Sequence, residues 1–133
     1  MKTATQIQDG LSQFCGTEAY HRLSIFSKRL VATDGVAWLC QNAECFWLFD
    51  AIASHQPRAM KDPKGMLQDM QFWTLKKDGK GGCLLKCERD TDDVFITQEI
   101  PFTDFPLDEV KIWIERGELA DGPYMVAMLP SER

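Results

Sequence analysis

The hydrophobic period of this chain changes once, near Leu67, and that change restricts the fold more than any other feature. Before Leu67 apolar residues recur at three- and four-residue spacing; after it they alternate with polar residues at a spacing of two. A helical pattern laid on a pleated strand would turn its apolar residues to both faces, so the two halves specify different kinds of element. The expectation is an α+β fold, with N-terminal helices packed on one face of a mainly antiparallel β-meander built largely from Leu67 onward. At 133 residues the chain has the size of a common domain, and residues 1–133 are read as a single domain.

In the first half, Ile7, Leu11 and Phe14 fall at helical spacing, and Gly16 follows Cys15 as a stop signal. The stretch "RLSIFSKRLV" alternates in part and is read as holding at least one strand. In "TDGVAWL", Thr33 or Asp34 is placed to cap a helix by accepting an orphan backbone amide. The polar group Gln41, Asn42 and Glu44 then interrupts the apolar run, so two successive helices or a sharp bend are expected. The second helix runs to about Ser54 and is ended by Pro57; Cys45, Leu48, Phe49 and Ile52 form its buried stripe, widened by Trp47 and Ala51.

In the second half, three strands are joined at "KDGKGG" and "RDTDD", both rich in residues that tolerate turn geometry. Pro101 and Pro106 mark a connector, because proline cannot donate to a ladder. Val110, Ile112 and Ile114 alternate, then come a turn region with Gly117 and "DGP" and a last strand through Met125 to Met128; Leu107 to Glu115 also fits a helix. Pairing Phe72 with Cys87 would place Phe72, Leu85, Cys87, Val94 and Ile96 under the helices. The opposite face would carry Gln71, Trp73, Leu75, Leu84, Lys86, Glu88 and Phe95. That mixture is too apolar for a solvated surface and too polar for a dry core, so it is expected to be either a contact surface centred on Trp73 or a face folded over by the rest of the chain.

Composition narrows the chemistry. A net charge of -5 and an isoelectric point near 5.0 oppose a polyphosphate partner. The beginning "MKTATQIQDGLSQF" has no apolar core of signal-peptide length and no apolar run reaches membrane-spanning length, so a cytoplasmic protein with no membrane contact is expected. Five irregularly spaced cysteines suit a reducing compartment. Only His21 and His55 are available as histidine bases, and neither Cys40 nor Cys45 sits in a catalytic signature with them. Cysteines on an apolar helix face are usually inert packing, and neither Cys40, Cys45 and His55 nor Cys83 with Cys87 has metal-ligand spacing, so no metal and no catalytic residue is assigned. Asp50, an acid inside an apolar helix, is the most unusual residue; it either reaches solvent or a base such as Arg58 or Lys28, or has a role of its own. "KKDGKGG" lacks the ending of a phosphate loop, "DTDDVF" lacks the glycine and glutamate of a calcium loop, and no dinucleotide fingerprint occurs, so no cofactor is expected.

The phrases "TDGVAWL", "FWLFDAIAS", "MLQDMQFWTL", "CERD", "ITQEIPFTDFPLDE" and "MLPSE", in this order from about Gly16 onward, resemble a family of small bacterial proteins filed only as a domain of unknown function. The resemblance implies no activity, cofactor or catalytic residue. The leading functional expectation is a non-catalytic interaction module that binds a protein partner or a second copy of itself, with Trp73, Gln71, Glu88, Phe95 and Asp50 as candidate binding residues. A small enzyme using a carboxylate such as Asp50, Asp69 or Glu88 is the first alternative. A nucleic-acid accessory protein using Lys76, Lys77 and Lys80 beside Trp73 is the second.

Overall fold

The computed structural model describes residues 1–133. Helix α1 (Ala4–Leu11) begins with a capping box in which Thr3 and Gln6 satisfy each other's backbone amides. It is shorter than the sequence spacing suggests. Ser12 ends it, its hydroxyl donating to the Asp9 carbonyl at 2.7 Å, and Phe14 lies beyond the helix, where it still packs on Trp38 at 5.9 Å between ring centroids. Strand β1 (Leu30–Ala32) occupies only the end of the ambiguous segment, and His21 forms an isolated antiparallel bridge with Ala32 along its outer edge.

Thr33 is the cap of α2 (Asp34–Asn42), as one of the two readings required. The expected break falls at Ala43 to Cys45, where Glu44 adopts φ 50° and the Cys45 amide bonds back to Cys40. Helix α3 (Phe46–Ser54) then buries Leu48, Phe49 and Ile52 completely. It stops at His55, ahead of Pro57. Proline instead falls in the first turn of the single-turn helix α4 (Gln56–Ala59), where its missing N–H costs nothing.

Strands β2 (Met70–Lys77), β3 (Cys83–Glu88), β4 (Val94–Ile100), β5 (Glu109–Leu119) and β6 (Gly122–Met128) complete a six-stranded open sheet of order β1-β6-β5-β2-β3-β4, followed by a 3-10 turn at Pro130–Glu132. Residues 107–115 are therefore strand, not helix, from Glu109 onward: β5 pairs with β2 along most of its length. Gly117 lies inside β5 opposite Tyr124, and the last turn sits at Ala120–Asp121. All neighbours are antiparallel except β1 and β6, which pair in parallel. That contact between the first and last strands has no short-range signal in a three-residue element.

The register of β2 differs from expectation by one residue. Trp73, not Phe72, stands opposite Cys87, and the ladder ends at Lys77 opposite Cys83. The turn between them spans the five residues Asp78 to Gly82, closed by the Asp78 amide on the Gly82 carbonyl and by the Asp78 carboxylate accepting the Lys80 and Gly82 amides. An odd turn gives an even pairing sum, so a Phe72–Cys87 partnership is excluded by geometry. Gly82 allows this turn to lie flat against the chain, because a Cβ there would meet the Ile100 carbonyl oxygen at 2.1 Å. The slip exchanges the two faces of β2. Gln71, Trp73 and Leu75 join Leu85, Cys87, Ile96, Ile112 and Ile114 beneath the helices, while Phe72 and Thr74 turn outward. Helices and inner sheet face enclose one main core; Val31, Tyr124, Val126 and Met128 make a smaller cluster on the outer side of β1 and β6.

Leu48→Ala is expected to lower stability by about 2–5 kcal/mol through lost burial and a residual cavity. An unchanged midpoint in a chemical denaturation curve would place Leu48 outside the core.

Candidate functional site

The helix-covered face is a closed structure. Trp73, 1% exposed, donates its indole N–H to Gln71 Oε1 at 2.8 Å. Gln71 and Gln56 form a double amide pair at 2.9 and 3.0 Å, and Gln71 also donates to the Leu67 carbonyl. His55 stacks on Trp73 with centroids 5.8 Å apart and bonds Gln98 at 2.7 Å. Every buried side-chain polar atom has a partner. The contact surface expected around Trp73 and Gln71 is thus corrected: both lie in the core, and their polar groups are spent on each other.

Phe95 sits at a β-bulge near the start of edge strand β4, held between the guanidiniums of Arg58 and Arg89 at 5.2 and 4.4 Å from its ring centre. Arg89 is itself committed. Its Nε and Nη2 each lie 2.8 Å from Asp62 Oδ1, and Asp62 Oδ2 accepts the Met66 and Leu67 amides. This buried pair pins the loop that leads into β2. The Arg89 guanidinium, with the amides, holds the Asp62 carboxyl well below the usual carboxylate range. A carboxyl whose value is depressed on folding adds stability above its unfolded value near ~4, and that stability is lost as the pH falls toward the folded value. Asp62→Asn should therefore be less stable than wild type at neutral pH, and the gap should narrow as the pH is lowered below about 4. A gap independent of pH in denaturation curves would refute the assignment.

Asp50 is half-buried on α3 and forms no ion pair with Lys28 or Arg58. The cysteines are unsuited to nucleophilic work. Cys40, Cys45, Cys83 and Cys87 are buried; burial pushes the Cys87 thiol up to about 12, and a hydrogen bond with Cys40 together with burial raises Cys45. Only Cys15 is exposed. One of the five thiols should react rapidly with a disulfide reagent on the native protein, and Cys15→Ser should abolish that phase; a persistent fast phase would contradict this burial.

The open outer face is different. Register places its side chains in rows across the strands. One row reads Thr97, Lys86, Thr74, Lys111 and the next Val94, Glu88, Phe72, Trp113, Met128. Threonine between two lysines leaves a dip, and the T-shaped Phe72–Trp113 pair, 5.5 Å between centroids, forms an aromatic shelf beside it. Lys86, Thr74 and Lys111 of the first row and Glu88, Phe72 and Trp113 of the second, with Asp90 and Thr91 of the β3–β4 turn and Glu109 of β5, line a groove of about 400 Å3. Lys111 makes no ion pair, whereas Lys86 pairs with Glu88 at 3.6 Å. Glu88 also accepts the Asp92 amide at 2.9 Å, so it holds the turn as well as the rim. Of the residues nominated from sequence, only Glu88 lines this groove. Phe72, Thr74, Lys111 and Trp113 were not nominated, whereas Lys86 was placed on the expected contact face. The signal for Lys111 and Trp113 was present, since alternation of Val110, Ile112 and Ile114 inward sends them outward.

Neither histidine lines the groove. His21 instead bonds Asp34 at 2.8 Å, and Asp34 also accepts the Glu18 amide, which together tie the segment before β1 to the start of α2. The amide of Glu18, then His21, lowers the Asp34 carboxyl.

The model of a family of unknown function, DUF6876, matches residues 5–133. The chain belongs to this family. No curated protein and no solved structure matches it. No helix of this DUF6876 member is long and apolar enough to cross a membrane.

Proposed function

We propose that this DUF6876 protein is a non-catalytic protein-interaction module of the reducing cytoplasm, and that the outer-face groove receives an extended segment of a protein partner. One observation carries the reading: the row Lys86–Thr74–Lys111 sets two cations across a small residue beside the Phe72–Trp113 shelf, on a face that no helix covers. The occupant that fits carries one carboxylate side chain for the lysines and, beside it, an apolar side chain for the shelf. The rim acids Glu88, Asp90 and Glu109 repel a continuous polyanion, which favours an isolated carboxylate over a nucleic-acid backbone. The lysines nominated for nucleic acid lack their aromatic partner, because Trp73 is buried. The carboxylate-enzyme reading loses support because the groove contains no histidine and its best-placed acid, Glu88, is engaged by an amide and a lysine.

Random peptides displayed on phage and selected on the native protein should enrich sequences with Asp or Glu next to an aromatic or aliphatic residue. A synthetic peptide from that pool should bind Trp113→Ala and the pair Lys86→Ala with Lys111→Ala at least about tenfold more weakly, with unfolding midpoints close to wild type. Binding indifferent to both variants would overturn the proposal. Light scattering at micromolar concentration should show a monomer. A dimer dissolved by Trp113→Ala would put a second copy in the groove instead.

A further inference from the structure

Between α2 and the segment that leads from α1 to β1 lies a concavity of about 530 Å3 that shares no residue with the outer-face groove. Helical spacing puts Asp34, Trp38 and Gln41 on one side of α2, and all three line it. Two contacts tie the preceding segment to that side. Phe14 meets the Trp38 ring at 5.9 Å between centroids and 51° between planes, a wedge and not a flat stack, and His21 Nε2 donates to Asp34 Oδ1 at 2.8 Å. Phe46, 45% exposed at the start of α3, lines the space as well. Trp38 is held from behind, because α1 packs so closely that a Cβ on Gly10 would collide with its Cη2.

Aromatic rings and one carboxylate thus face this space, and no lysine or arginine lines it. Arg22, the neighbour of His21, is committed instead to the Tyr124 hydroxyl at 3.0 Å. The Glu18 amide, which donates to Asp34 Oδ2 at 2.9 Å, and then His21 hold the Asp34 carboxyl below its ordinary value, so its charge is kept. The positive end of α2 does not consume that charge, since Glu132 already takes the Gly35 amide at 3.0 Å and the Thr33 hydroxyl at 2.6 Å. Recognition therefore falls to side chains and not to the helix terminus. Asp34 and Trp38 are four residues apart and neighbours on the helix surface, so one guest can touch both.

We infer that this concavity binds a small organic cation, a methylated ammonium carried on a short chain. Its methyl groups lie against the Trp38 and Phe14 rings, whose faces are the negative part of the quadrupole, and Asp34 answers its charge. Methylation suits the site because each Asp34 oxygen already accepts a hydrogen bond: a quaternary ammonium has no N–H to place, whereas a primary one would look for acceptors on oxygens already in use.

Choline serves as the probe, titrated into the native protein at about pH 8, above the ordinary imidazole range. Binding is followed by calorimetry and by the indole N–H resonances, with the Trp38 signal assigned from its loss in Trp38→Leu. Saturable binding at about 1 mM or tighter is expected, with the Trp38 resonance moving most. Neohexanol, which has the shape of choline with carbon in place of the charged nitrogen, should bind at least about tenfold more weakly, and so should ethanolamine. Asp34→Asn keeps an oxygen for His21 and should lose choline by about tenfold while leaving the weak binding of neohexanol unchanged; the comparison among the ligands needs no variant at all. Absence of saturable choline binding, equal binding of neohexanol or of ethanolamine, undiminished choline affinity in Asp34→Asn, or shifts confined to other indoles would each overturn the inference.

Discussion

An indole buried to 1% exposure needs an acceptor for its N–H, and in this protein the acceptor for Trp73 is Gln71, two residues earlier on the same face of β2. The rest of the arrangement depends on that contact. Gln71 is itself fully buried, which is tolerable only because Gln56 at the start of α4 answers both ends of its amide. Sheet and helices are therefore joined by a directional polar link inside an otherwise apolar core, and the helices cannot slide along the sheet without breaking it. Because strand side chains alternate, turning residues 71 and 73 inward turns Phe72 and Thr74 outward. The outer groove is the other side of the same constraint.

The parts of this fold that could be read from sequence are those governed by local period. The change near Leu67, the Thr33 cap, the break before α3, the buried stripe of α3 and the three-strand meander all express interactions within a few residues, and the structure shows each. What could not be read depends on counting or on distance. In "MQFWTL" both alternating sets hold large apolar side chains, so hydrophobicity alone does not choose a face; the odd turn at Asp78–Gly82 and the pairing of two buried glutamines choose it. That one-residue difference moved Trp73 from candidate surface to core and brought Phe72 to the groove. Phe95 was nominated as an interface aromatic, but arginines on both sides occupy it. Whether Arg58 reaches a ring 37 residues away is not a local property.

The two ends of the chain close the edge of the sheet by the same long-range logic. β1 is three residues long and gains its hydrogen bonds from β6 on one side and His21 on the other, so the strand exists only once residues far apart have met. The C-terminal turn then fastens the join. Glu132 accepts from the Thr33 hydroxyl at 2.6 Å and the Gly35 amide at 3.0 Å, placing a carboxylate against the positive end of α2. Gly35 is required for this approach, since a Cβ there would meet Glu132 Oε1 at 2.6 Å and Leu129 at 2.7 Å. The free donors at that helix end are thereby satisfied from within the chain, and the helix end offers nothing to a ligand.

The cations of this acidic protein divide by how completely they are answered. Arg89 is saturated by Asp62 and Asp93, and Arg58 rests on Phe95 and its carbonyl, so these two stabilise the loop and edge strand and have little left for a partner. Lys86 and Lys111 stand where register puts them on either side of Thr74, with Lys86 3.6 Å from Glu88 and Lys111 in no ion pair. A partly answered cation at the protein surface loses little by staying hydrated, so such positions cost the fold almost nothing and need no intramolecular justification. Two of them across a small residue, next to exposed aromatic surface, provide an anchor for charge and a seat for an apolar group within one side-chain length. Lysines beside a rigid aromatic pair favour a carboxylate presented by a chain lying across the strands.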